Sequence, residues 1–78
     1  MNKKRREKLY ALNLKLDELC DAVREILEEE EQAYANLPES IQNGLTGEDM
    51  ANNIDNLQES VDEIESAMDK IGPIATEW

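Results

Sequence analysis

Seventy-eight residues carry 19 acidic and 8 basic side chains, one cysteine and no histidine, for a net charge of −11. A chain this short buries too little apolar surface for easy stability alone, and with only Cys20 it has no disulfide framework, no zinc site of standard ligands and no Cys–His nucleophile. No run reaches the roughly 18 apolar residues of a membrane span, so a soluble, cytoplasmic protein is expected, and abundant Glu, Asp, Leu and Ala beside few Gly and Pro predict an all-α fold.

The basic residues are concentrated at the start. Lys3, Lys4, Arg5, Arg6 and Lys8 against Glu7 give residues 1–8 a charge of +4, and the net of −11 then leaves −15 for residues 9–78. General affinity for nucleic acid is therefore not expected of the body of the chain.

Leu9, Leu12, Leu16, Leu19, Val23, Ile26, Ala33 and Leu37 follow in steps of three and four, a heptad seam that predicts helix 1 over about 3–35. Cys20 reads as a small core hydrophobe. With Leu27 and Tyr34 it widens the stripe, as in a bundle helix. Residues 36–46 form a connector: Pro38 breaks helix 1 and opens a short turn through Gln42, Asn43-Gly44 closes it, and Leu37, Ile41 and Leu45 would plug that end.

Helix 2 is expected over about 47–71 on the register Met50, Ile54, Leu57, Val61, Ile64, Met68 and Ile71. Thr46 with Asp49 three positions on resembles a capping box, and Gly72-Pro73 reads as the stop, leaving 72–78 as a tail. The short connector makes the helices antiparallel neighbours. Ala33 then faces Met50, Ile26 faces Leu57, Leu19 faces Ile64 and Leu12 faces Ile71. Two helices form only a strip of contact and leave Leu14, Leu27 and Tyr34 partly wet, so a homodimer closing a four-helix bundle is expected, with Ser60 and Ala67 leaving room for another helix.

No catalytic constellation and no cofactor fingerprint occurs, which predicts a protein that is not an enzyme. Glu28–Glu31 form the densest acidic run, with Glu30 at a seam position, but without His they do not make a bundle di-metal site. Asp55, Glu59, Asp62, Glu63, Glu65 and Asp69 decorate helix 2. Carboxylates along a helical rod can stand in for phosphates in the basic groove of a nucleic-acid-binding protein, which makes these six the candidate partner-binding residues. The alternative site is basic: Lys4, Arg5, Arg6 and Lys8 with Tyr10 and Trp78, gathered where the fold-back brings the two ends together, could hold a nucleotide or nucleic-acid ligand. A duller possibility is a structural assembly subunit. The basic start also has a purpose within the hairpin, since Lys3–Lys8 would lie near Glu65, Asp69 and the negative end of helix 2.

The segment "LPESIQNGLTGEDMANNIDNLQESVDEIESAMDKI", preceded by a basic helix, resembles short acidic helical-hairpin proteins of low-GC Gram-positive bacteria and their phages or prophages. The likeness covers residues 3–71. It implies a mobile-element accessory protein that modulates a host factor, and it assigns no residue a role.

Overall fold

The computed structural model describes residues 1–77 and contains three helices in chain order, α1 (Lys3–Ala35), α2 (Glu39–Gln42) and α3 (Leu45–Thr76). No strand occurs among the described residues. Asn2 caps α1, its Oδ1 accepting from the Arg5 backbone N–H at 2.9 Å. At the other end, the Tyr34 carbonyl accepts from the Leu37 N–H at 3.1 Å, and Gln42 donates through Nε2 to the same carbonyl (2.9 Å) and to that of Leu37 (3.2 Å), which ties α2 to the end of α1. As the sequence predicts, Pro38 opens α2 and Asn43 ends it.

The start of α3 differs from expectation. The helix begins at Leu45 with Gly44 as its N-cap, and Thr46 lies inside the first turn. The reason is at Gly47, which is buried against α2: a Cβ there would stand 2.1 Å from the Gln42 carbonyl oxygen. That close approach folds α2 onto the first turn of α3, and a later start at residue 47 would undo it. Of the expected apolar plug only Leu37 is half-buried, while Ile41 and Leu45 remain exposed, so this backbone contact closes the end of the hairpin in place of the full plug.

Polar links run antiparallel along the rod, from Arg6 to Ile74, from Asn13 to Met68 and from Arg24 to Glu65. The hairpin measures 58 × 14 × 12 Å with a radius of gyration of 17.5 Å, against about 11.5 Å for a compact domain of this length. Its core is Cys20, Leu27 and Val61, with Val23, Ile54, Leu57, Ile64 and Met68 packed around them. The α3 register is the one the sequence predicts.

The face of α1 is not. Leu12, Leu19 and Ile26, expected in the seam, stand 52, 60 and 55% exposed, whereas Leu27, expected to be partly wet, is 6% exposed. The inward residues are Leu9, Asn13, Leu16, Cys20, Val23, Leu27, Glu30 and Tyr34. Both candidate stripes contain Leu9, Leu16 and Val23, so apolar spacing alone does not separate them. The observed rotation is favoured by the small Cys20 side chain at the core and by Arg6 and Arg24 reaching α3. It also turns Asn13 inward, where Nδ2 meets the Met68 carbonyl at 3.5 Å and Oδ1 is buried without a partner among the described residues.

The C-terminal end of α3 corrects a further expectation, because the helix runs through Gly72-Pro73 to Thr76. No glycine takes a positive φ, so Gly72 does not form the left-handed stop. Pro73 forfeits one backbone bond. The last turn is retained by the burial of Ala75, by the Thr76 hydroxyl donating to the Gly72 carbonyl at 3.0 Å, and by Arg6 donating to the Ile74 carbonyl.

Candidate functional site

Glu48, Asp55, Asp62 and Asp69 recur every seventh residue of α3 and are all exposed. At 1.5 Å rise per residue they form a row with a spacing of about 10.5 Å. Glu59 and Glu65 lie to either side of that row, so five of the six nominated acids share one flank of the helix. Glu63 does not: one residue beyond Asp62, it is turned by about 100° toward the opposite flank. Asp62 accepts from Gln58 Nε2 at 3.2 Å, which holds its carboxylate along the helix surface.

The same broad face of the hairpin continues onto α1. Arg24 pairs with Glu65 across the helices and with Asp21 at 2.8 Å along its own. Hydrogen bonding to Glu65, above all other neighbours, pushes the Arg24 guanidinium above its ordinary value. Arg24 therefore marks the side on which Asp17, Asp21 and Glu28 lie beside the α3 row. Sequence reasoning missed Arg24. Its signal was available as a lone cation at a flank position amid acids.

The basic start is distributed differently from expectation. Glu65 is held by Arg24, and Arg6 is the residue of the basic segment that joins the helices. Its guanidinium donates to the Ile74 carbonyl and, through Nε, to the Met1 carbonyl at 3.2 Å, with Glu77 at 3.8 Å. A cation is thereby placed at the negative end of α3. An open cleft at this end is lined by Met1, Lys3, Arg6, Glu7, Tyr10, Thr76 and Glu77. Of the alternative ligand-binding set it includes Arg6 and Tyr10; Lys4, Arg5 and Lys8 are exposed outside it, and Trp78 lies outside the described residues. Two carboxylates in the lining and an Arg6 already engaged by protein acceptors make it a poor seat for an anion.

No family model, curated protein or solved structure matches the chain. The site is thus read from its own geometry. No helix among the described residues is long and apolar enough to cross a membrane.

Proposed function

We propose that the chain is a non-enzymatic interaction protein that engages a basic surface of another protein through the acidic face of the hairpin. The observation that carries this reading is the one-sided row Glu48, Asp55, Asp62 and Asp69, exposed over its whole length with Glu59 and Glu65 beside it. Those six give one carboxylate per about 6 Å of helix, roughly half the density of phosphates along one DNA strand. Asp17, Asp21 and Glu28 on α1 raise the density of the face, so mimicry of a nucleic acid draws on both helices. The resemblance to phage and prophage hairpin proteins supports a host nucleic-acid-binding or defence protein as the target, with inhibition by occupation of its basic groove. The reading includes self-association as a homodimer, supported by an elongated rod whose Leu12, Leu19 and Ile26 are left outside the core.

The test is affinity capture of a basic, nucleic-acid-binding protein from a low-GC Gram-positive lysate, with duplex DNA as competitor. Capture is expected to fall more than tenfold for Asp55→Lys/Asp62→Lys/Asp69→Lys and to persist for Lys4→Ala/Arg5→Ala. Capture that survives the reversals, or that depends on Arg5, would overturn the proposal.

A further inference from the structure

Opposite the acidic face the hairpin presents a surface of another composition. Leu12, Leu19 and Ile26 recur every seventh residue on α1, each more than half exposed. Beside them on α3 runs an uncharged column, Asn53, Ser60, Ala67 and Ile74, at the same spacing. Glu30, one turn beyond Ile26, lines a groove with Asn53, Asn56, Leu57 and Ser60, which puts ridge and column on one broad face. Ser60 folds its hydroxyl onto the Asn56 carbonyl at 2.8 Å and so leaves a small outer profile.

The amount of surface fits a missing partner of similar size. The chain exposes 5851 Å², about 1,000 Å² more than a compact protein of its mass. A face of 58 by 14 Å matches the roughly 800 Å² that each partner gives to a standard interface.

Charge identifies the partner as a second copy and sets its direction. Lys8 and Lys15 flank Leu12 on one end of this face, with Lys70 next to Ala67; Glu29 and Glu30 follow Ile26 at the other end, with Asp49 before Asn53, and Glu63 lies between Ser60 and Ala67 near the middle. Two hairpins stacked on this face are related by a two-fold axis either along the helices or across them. An axis along the helices superposes the two basic ends and the two acidic ends. An axis across them reverses one copy and lays each basic end on an acidic one. Leu12 and Ile26 are each seven residues from Leu19, and Lys8 and Glu30 are each eleven, so a crossing axis at Leu19 satisfies both pairs at once. It also gives the half-buried Glu30 a cation.

We infer that this face is the self-association surface, closed by an antiparallel two-fold contact centred on Leu19, with Leu12 of each copy on Ile26 of the other and Lys8 on Glu30. This rests on the reading of the chain as a self-associating hairpin and names its geometry. Sedimentation equilibrium of the full chain tests the first part and cross-linking the second. Leu19→Cys, with the buried Cys20 of the wild type as control, is expected to oxidise to a covalent dimer that sediments like the native one. Lys8→Glu reverses two symmetry-related pairs and is expected to weaken dimerisation about tenfold, with Glu30→Lys in the same chain restoring it. A wild-type chain that stays monomeric at all concentrations overturns self-association and this geometry together. A dimer that ignores Lys8→Glu and does not cross-link at position 19 overturns the geometry alone.

Discussion

The two broad faces of this hairpin are built from the same two helices and differ in what every seventh residue contributes. On one, α3 supplies Glu48, Asp55, Asp62 and Asp69; on the other it supplies Asn53, Ser60, Ala67 and Ile74. Along α1 the matching contrast is Asp17, Arg24 and Glu31 against Leu12, Leu19 and Ile26. Folding of the hairpin places its demands on the inward stripes and, on the flanks, on the Arg24–Glu65 link, so the rest of the bias between flanks adds nothing to the hairpin's own stability. Clustering carboxylates on one flank adds self-repulsion, and leaving large aliphatic side chains on the other keeps apolar surface in water. Each face is unfavourable for an isolated chain, and the proposed partners, a basic target on one and a second copy on the other, would offset that cost.

The sharpest way to break this comparison is to shorten a leucine on either side of α1. Leu27→Ala, in the core, is expected to cost about 2–5 kcal/mol, enough to unfold much of a domain whose total stability is of the order of 5 kcal/mol. Leu19→Ala, on the outer ridge, is expected to change the stability of the monomer by no more than about 0.5 kcal/mol. Its effect should emerge only as protein concentration rises, through weaker dimerisation. Urea denaturation at two concentrations measures both. The reverse order would mean that α1 is rotated to the setting in which Leu12, Leu19 and Ile26 face α3.

The elbow and the open end hold the two helices in the alignment that separates the faces, and their effects come next in size. Gly47→Ala drives a Cβ to 2.1 Å from the Gln42 carbonyl oxygen and 2.5 Å from its carbon. Since the obstacle is backbone, α2 must move, and a loss of about 1–3 kcal/mol is expected from thermal unfolding. Arg6→Ala removes the donors to Ile74 and Met1. A loss of about 1.5 kcal/mol is expected, with hydrogen exchange quickening selectively in residues 72–76.

The features that were legible in the sequence share one physical basis. In α3 the residues Met50 to Ile71 offer a single apolar stripe between polar flanks, so spacing determines both the helix and its inward face. In α1 two stripes overlap through Leu9, Leu16 and Val23, and the choice between them depends on contacts with α3 that one helix does not encode. Pro38 announced α2 because a proline at a helix start restricts only the local backbone. Gly72-Pro73 misled for the same reason, as the local preference to stop is outweighed by the burial of Ala75 and the reach of Arg6 from 68 residues away in the chain. The nominated acids were legible as a set, but the separation of Glu63 from Asp62 follows from helix geometry and not from composition. Arg24 and Asn13 drew no attention because each takes its meaning from a partner on the other helix.

The smallest expected effect on stability is the one that bears most directly on function. Neutralising Asp55, Asp62 and Asp69 together to Asn removes three exposed carboxylates, none of which forms a cross-helix ion pair among the described residues. The stability of the fold should therefore change by no more than about 0.5 kcal/mol per site, and in low salt it should rise, because part of the net charge of −11 is relieved. A large loss would show these acids to be structural. Retained stability and dimerisation, with loss of binding to the basic partner, would instead divide the molecule along its length, one face joining copies of the chain and the other left free for the target.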